Sequence, residues 1–285
     1  MFVSIWDWFP FTFYALFVLV LNGLVLLLYQ VESSIRQNKT NGLIANQCIG
    51  NILTSIILIP CYCASLYNRI DREFVLLIFA FFLLIASLTV LMTALEKLAL
   101  FQDRLLILFN GKIMKAFLLT WIFSALVAFI PVFTMIGVTA EDRNLISRQY
   151  CLVLLVIFLI LFGFTVLVIG LTVVLGNRNI QKKTDQLSEI RNINEVVIMQ
   201  HSINENKKHL KSTLVIIGPL LLALFISVSP WLHFVIHGNN KQNVVDSITM
   251  YVFCLKGLFD PIITFSVIAN YQQAMLKYLG GHKFR

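Results

Sequence analysis

The sequence predicts an all-α membrane protein, in which a bundle of seven transmembrane helices is followed by a short C-terminal amphipathic helix. Three observations predict this fold class. Of the 285 residues, 59% are hydrophobic and only 13% are charged, whereas soluble domains carry about 25% charged residues. The apolar residues are gathered into long runs, and most lysines and arginines lie between these runs. We therefore expect residues 1–285 to form one membrane domain and exclude a soluble globular fold.

Seven apolar runs are long enough to cross the roughly 30 Å hydrocarbon core of a bilayer, which takes about 20 helical residues. The first ten residues lack the basic stretch and the cleavage site of a removable signal peptide. We expect the first span to act as its own insertion signal. The predicted spans cover about residues 8–30, 42–67, 74–101, 115–138, 149–176, 210–237 and 246–269.

Lysine and arginine set the predicted orientation, because positively charged loops stay on the cytoplasmic side of a membrane. With the N-terminus outside, fifteen of the 22 lysines and arginines fall in cytoplasmic segments and five fall in outer loops. We expect a multi-pass protein of the plasma membrane with an extracellular N-terminus. The net charge of +8 is spread between the spans and forms no basic stripe, so nucleic-acid binding is not expected.

Two segments outside the spans have patterns of their own. Residues from about 270 to 280 carry apolar side chains at helical spacing, which is typical of an amphipathic helix on the inner membrane surface. The long polar stretch at about 177–209 mixes basic and acidic residues. Two interpretations of this stretch stay open: a solvated helical extension with a flexible middle, or a partner-binding segment.

Four ionisable residues lie at membrane depth, where a charge is costly and is therefore a candidate for function. Glu96 and Lys97 lie near the inner end of span three, and Lys256 and Asp260 lie four residues apart in span seven. Glu96 and Lys97 could instead anchor their helix at the interface by snorkelling. Lys256 and Asp260 share one helix face and could simply neutralise each other.

A polar cluster at mid-membrane is the functional interpretation of the charges in span seven. Asn22 in span one and Asn51 in span two supply amides that could join Asp260 and Lys256. Hydrogen bonds in such a cluster can rearrange at modest cost when helices shift. The sequence therefore predicts a conformational switch at this depth.

Prolines inside the predicted spans indicate bends, because each removes a backbone hydrogen bond. Pro131 lies in span four, Pro219 and Pro230 lie in span six, and Pro261 lies in span seven. We expect Pro230 and Pro261 to act as hinges. Many kinds of membrane helix tolerate proline, so the prolines alone do not identify a functional class.

These residues, taken in order, resemble the landmarks of the rhodopsin-like (class A) G-protein-coupled receptors over nearly the whole chain. The order and the spacing of six motifs carry the resemblance. The similar segments are Asn22-Gly23-Leu24-Val25, Asn46-Gln47-Cys48-Ile49-Gly50-Asn51 with Pro60, Ser87 to Leu98, Trp121 with Pro131, Phe225 to Trp231, and Asp260-Pro261-Ile262-Ile263-Thr264.

The chain departs from the family pattern at several landmarks. Asn51 and Asp260 look like the family's aspartate in span two and asparagine in span seven with their positions exchanged. Lys97 stands where the family has an arginine, and lysine lacks the planar fork of arginine. Val228 replaces a tryptophan of span six, and Thr264 replaces a tyrosine of span seven. The Asp-Pro form and the absence of an outer cysteine in span three also look like the melanocortin and lysolipid receptor branch.

The resemblance implies a receptor that binds an extracellular ligand and activates a heterotrimeric G protein. Its ligand cavity would open outward between spans three, five, six and seven. The apolar lining favours a lipid-like or other small apolar ligand, and a charged rim leaves a peptide open. The implied lining residues are Phe79, Phe82, Leu83, Trp231, Phe234 and Phe253.

The resemblance also implies an inner surface for the G protein. The implied coupling residues are Glu96, Lys97 and Lys211. Many relatives carry a glutamate near the position of Lys211 that pairs with span three. Because that glutamate is missing here, the resemblance implies high basal activity.

Cysteines on the outer side could form a disulfide bond. The family usually ties the second outer loop to the outer end of span three, where this chain has no cysteine. Cys151 could instead pair with Cys61 or Cys63 in the oxidising exterior. Cys48 and Cys254 lie within spans and are expected to pack as apolar residues.

A transporter or channel is the alternative function, with Asp260 and Lys256 serving as an intramembrane ion or proton relay. Transporters often show internal repeats, and the two halves of this sequence show none. An enzyme is not expected, because the predicted spans contain no metal-binding cluster and no serine–histidine arrangement. We expect neither a cofactor nor a metal, and we expect membrane lipids to surround the bundle.

Overall fold

A computed structural model describes residues 5–37, 39–66, 72–101, 113–134, 140–188, 193–229, 232, 235–236 and 244–279. Nearly all of these described residues are helical, and none of them lies in a strand. The helices are α1 (Ile5–Val31), α2 (Ser33–Arg36), α3 (Lys39–Leu53), α4 (Ile59–Leu66), α5 (Arg72–Ala99), α6 (Ile113–Thr134), α7 (Ala140–Leu187), α8 (Ile193–Ile226), α9 (Val244–Val267) and α10 (Ala269–Leu279), with a π-helical turn at Thr54–Leu58.

Helices suited to crossing a membrane dominate this fold. In the described parts of the chain, six segments are long and apolar enough to span a bilayer, whereas the apolar stretch of α6, Leu118–Ile130, is shorter. The all-helical class is confirmed, and the count of seven crossings stays a prediction. The six segments are Phe9–Val31, Asn41–Ser65, Phe74–Ala99, Arg148–Leu187, Asn194–Ile226 and Met250–Val267.

Helix α5 lies at the centre of the bundle. It packs against α3, α4, α6, α7 and α8, and 83% of its most apolar stretch is buried, compared with 28% for α1. A helix that is apolar on all sides can be surrounded by neighbours in this way. Helix α9 packs on α1, α3 and α8. Outward-facing side chains such as Val20, Leu119 and Leu167 remain exposed, as expected for helices that contact lipid.

The second predicted span is one continuous helical rod with a change of hydrogen-bond pattern in its middle. The π-helical turn Thr54–Leu58 ends two residues before Pro60, which has no backbone N–H to donate. The Thr54 hydroxyl donates to the carbonyl of Gly50 at 2.8 Å, and the Ser55 hydroxyl donates to the carbonyl of Asn51 at 3.0 Å. These side chains bond backbone carbonyls where the helix changes its register.

Helices α7 and α8 extend well beyond the spans predicted at about residues 149–176 and 210–237. Helix α7 has 48 residues, which corresponds to a length of about 72 Å at 1.5 Å per residue. That length is more than twice the roughly 30 Å of bilayer hydrocarbon. In the polar part of the two helices, the Lys183 ammonium donates to the Ser202 hydroxyl at 2.7 Å. The polar stretch predicted at about 177–209 is therefore helical on both sides, as the first interpretation expected.

Helix α10 confirms the predicted amphipathic helix and is docked on the end of α1. Tyr271 is fully buried, and its ring packs edge-to-face against Phe265 with centroids 6.3 Å apart. The Lys277 ammonium donates to the Glu32 carboxylate at 2.6 Å, and this hydrogen bond lowers the pKa of Glu32. Leu276 stays largely exposed on the other side of the helix, as expected at a membrane surface.

Candidate functional site

The carboxylate of Asp260 gathers three donors from two helices. Its Oδ2 atom accepts from Lys256 Nζ at 2.8 Å, from Asn51 Nδ2 at 2.8 Å and from Gln47 Nε2 at 3.0 Å. Lys256 and Asp260 lie one turn apart on α9, and Gln47 and Asn51 lie one turn apart on α3. Positions four residues apart share a helix face, so each helix presents a pair of polar groups to the other.

The ion pair lies inside the bundle. The residue Lys256 is 2% exposed and Asp260 is 8% exposed. Two isolated charges at this depth would be very costly, and each charge offsets the cost of burying the other only while both are present. The predicted pairing of Lys256 with Asp260 is thus confirmed, and the two amides that join it make it part of a larger polar cluster.

Asn22 connects this cluster to α1. Its side-chain carbonyl accepts from Asn51 Nδ2 at 3.1 Å, and its Nδ2 donates to the backbone carbonyl of Gly257 at 2.9 Å. Gly257 lies four residues before Pro261, which has no N–H to satisfy that carbonyl. Asn22 therefore supplies the hydrogen bond that Pro261 removes from α9.

Gly257 lies where α9 contacts α1 and α3. A Cβ atom at position 257 would lie 3.4 Å from both methyl groups of Val18 and 3.7 Å from the side-chain carbon of Asn51. These distances are ordinary van der Waals contacts between carbon atoms. The three helices are therefore closely packed at the point where the Gly257 carbonyl accepts from Asn22.

A small cavity adjoins the cluster on the side toward Leu43 and Ile268. It has a volume of about 50 Å³ and is lined by Gln47, Thr93, Asp260 and Thr264, among mainly apolar neighbours. The other carboxylate oxygen of Asp260, Oδ1, is buried and accepts no hydrogen bond from the described residues. A cavity of this size and polarity has room for a water molecule that could bond such an oxygen.

A second polar bridge joins three helices beside the cluster. The Trp121 indole N–H on α6 donates to Asn46 Oδ1 on α3 at 2.9 Å. The Asn46 amide in turn donates to Thr89 Oγ1 on α5 at 3.2 Å. This bridge fixes the position of α6 against the centre of the bundle. Asn46 and Trp121 were singled out in the sequence only as landmarks of the family resemblance.

The described members of the predicted ligand lining lie together in the core. Phe79, Phe82 and Leu83 on α5 and Phe253 on α9 are all buried. The rings of Phe79 and Phe253 pack edge-to-face with centroids 5.1 Å apart. The remaining members of that set, Trp231 and Phe234, lie outside the described residues, as does the predicted hinge Pro230. The ligand-binding role of the set stays a prediction.

The predicted coupling residues lie on α5 and α8. Glu96 and Lys97 are near the end of α5, and Lys211 is on α8, which packs against α5. Lys97 is 7% exposed. A lysine this deeply buried does not snorkel to water as an interfacial anchor would. Lys211 is exposed.

The predicted disulfide bond between Cys151 and Cys61 or Cys63 is not formed in this structure. All three residues have thiol side chains. Cys61 and Cys63 lie on α4, which packs against α1 and α5, whereas Cys151 lies on α7, which packs against α5 and α8. All three cysteines contribute to the main apolar core as thiols.

Sequence reasoning missed Gln47 and Gly257. Gln47 precedes Asn51 by four residues, which places both amides on one face of the helix. Gly257 precedes Pro261 by four residues, so its carbonyl is the one that the proline leaves without a donor. Both spacings are visible in the sequence and would have indicated these residues.

A scan against protein-family models and a search of curated proteins find no match for this chain.

Proposed function

We propose that this protein is a seven-helix receptor of the G-protein-coupled type, in which an extracellular apolar or lipid-like ligand controls an inner surface for a heterotrimeric G protein. The observation that carries the proposal is the buried cluster around Asp260. It ties α1, α3 and α9 together through hydrogen bonds at membrane depth. A cluster of this kind offers two arrangements of its bonds, and a ligand can bias the choice between them.

The cavity below the cluster supports a switching role. Asp260 accepts all three of its side-chain hydrogen bonds through one oxygen, and its second oxygen is next to a cavity that reaches toward Ile268 on the inner side. The carboxylate could therefore exchange partners without first losing every bond. Each exchanged hydrogen bond is worth about 1 kcal/mol, which is comparable to typical coupling energies between two sites.

The long helices α7 and α8 support a partner surface on the inner side. Both continue past the spans predicted from the sequence, and their polar parts carry exposed basic residues beside the end of α5, where Lys97 lies. On this proposal, a shift of α8 relative to α5 opens the inner surface for the G protein. Lys97 and Lys211 would contact that partner, and Glu96 would help to hold the closed arrangement.

The test is ligand-free signalling by cells that express the wild type, Asp260→Ala or Lys97→Ala, measured as cyclic AMP, calcium and G-protein recruitment. We expect basal signalling from the wild type and its loss in either variant at equal surface expression. Leu167→Ala, on an exposed face of α7, is the matched control and should signal normally. Basal signalling that survives both changes would count against the assigned switch and coupling roles.

The same cells separate this proposal from the transporter alternative. A relay through Asp260 and Lys256 predicts a current or a pH change across the membrane that disappears with Asp260→Ala and needs no G protein. Such a current in cells that lack G-protein signalling would replace the receptor proposal.

A further inference from the structure

A notch in the side of the bundle is separate from the cavity beside Asp260. It is bounded by α5, α7 and α8, and its lining includes Ser87, Phe158, Thr165, Leu224 and Val228. The notch has a volume of about 20 Å³. A space of roughly 10–15 Å³ holds one group the size of a water molecule, so this notch has room for the end of a hydrocarbon chain and not for a ring system.

The mouth of the notch faces sideways, away from the bundle. Leu159 on α7 and Phe225 on α8 line it and are 49% and 54% exposed. Phe225 packs against Phe162 across the two helices, with ring centroids 5.3 Å apart. The floor is formed by buried residues, including Phe158 and Leu224. The notch is thus open at its rim and closed at its base.

The position of the notch along the helices decides what surrounds its mouth. Ser87 lies at the middle of the Phe74–Ala99 segment, and Thr165 lies well inside the Arg148–Leu187 segment. When these segments cross a bilayer, both residues are close to its midplane. At that depth the surrounding solvent consists of the ends of lipid chains.

The hydroxyl groups in the wall are already used within their own helices. Ser87 donates to the carbonyl of Leu83 at 2.8 Å, and Thr165 donates to the carbonyl of Leu161 at 2.7 Å. Neither hydroxyl has a second proton to offer to a ligand. The remaining lining is aliphatic and aromatic, so the notch presents an apolar surface to its occupant.

We propose that this notch is a binding site for the terminal segment of a lipid acyl chain, which enters sideways from the bilayer. The narrow space, the apolar walls and the midplane depth all fit a flexible hydrocarbon end. The site is separate from the outward ligand cavity of the proposed function. It requires only that α5, α7 and α8 lie in a membrane.

The expected enrichment of a chain end in the notch is limited by the apolar bilayer around it. Transfer of a chain end from lipid into the notch gains no hydrophobic free energy, because both surroundings are apolar. The gain comes from closer packing, so the chain end should be enriched only about fivefold over an open lipid-facing surface. The assay must therefore compare positions within one protein.

The experiment uses the purified full chain in phosphatidylcholine nanodiscs that contain a phospholipid with a diazirine at the end of one chain. After irradiation, mass spectrometry compares crosslinks at the notch residues with crosslinks at Ile160 and Leu167, two exposed apolar residues of α7 at a similar depth. We expect about a fivefold preference for the notch. Equal labelling of notch and reference positions would overturn the proposal.

Two variants fill the notch from different walls. Ser87→Leu enlarges a side chain of α5, and Val228→Phe enlarges one on the opposite side, beyond the end of α8. Each should remove the preference, whereas Leu171→Phe, on an exposed face of α7, should retain it. Since either filled variant could fail to fold, thermal unfolding of each protein is measured beside the labelling. If a variant with the filled notch folds and still shows preferential labelling of the notch, the site is refuted. Stronger labelling of the notch by a photoactivatable sterol would refute the assignment to an acyl chain.

Discussion

Breaking the buried ion pair should destabilise the protein more than any exposed substitution. Lys256 Nζ and Asp260 Oδ2 are 2.8 Å apart, and both residues are at least nine-tenths buried. Lys256→Met leaves the Asp260 carboxylate with only amide donors, and Asp260→Asn leaves the ammonium group without a counter-charge. Removing one partner of such a pair costs about 3–5 kcal/mol. We expect each single variant to lose stability in this range.

The double variant separates the interaction from the other effects of each change. With methionine and asparagine together, no net charge remains buried, and the new amide can still accept from Asn51 and Gln47. The loss in the double variant should therefore be smaller than the sum of the single losses, by about 1–3 kcal/mol.

Thermal unfolding in detergent micelles, followed with a thiol-reactive dye, measures these losses. Cys48 and Cys151 are buried in the folded protein and react only when it opens. Leu167→Met, on an exposed face of α7, serves as the control and should unfold with the wild type. Losses that add to within about 0.5 kcal/mol would show that the two charges do not interact.

Two further predictions concern the kink of α9 and the docking of α10. Asn22→Leu should lower the free energy of unfolding by about 1–3 kcal/mol, because it leaves the buried carbonyl of Gly257 without a donor. Thermal unfolding should show a smaller loss when Pro261→Ala restores a backbone N–H at position 261. An equal loss in both backgrounds would contradict this account. The Lys277 ammonium lowers the pKa of Glu32 below its ordinary value of 4.5, so their contact stabilises α10 above that pH and is lost as the pH falls through the lowered pKa. In the wild type, a spin label on the exposed face of α10 should become more mobile in acid. In Lys277→Gln the label should be mobile at every pH. The same pH profile in both proteins would refute the contact.

Much of the fold follows from the sequence, because a bilayer requires long apolar helices and the chain has few charged residues to interrupt them. The helical class, the amphipathic α10 and the pairing of Lys256 with Asp260 are all visible in local patterns of spacing. Span ends were less predictable. Helix α7 continues to Leu187 and α8 begins at Ile193, since polar residues extend a helix as readily in water as apolar residues do in lipid.

The tertiary structure decided which of these residues meet. Spacing along one helix places Asn51 and Gln47 on a common face, but only the packing of α3 against α9 brings both to the same carboxylate oxygen. Likewise, Asn22 reaches the carbonyl freed by Pro261 only because α1 packs against α9. The disulfide bond that the sequence left possible is not formed in the structure, because such a bond needs helices that bring two cysteines together. Adjacency depends on how side chains from distant parts of the chain fit together, which sequence periodicity does not record.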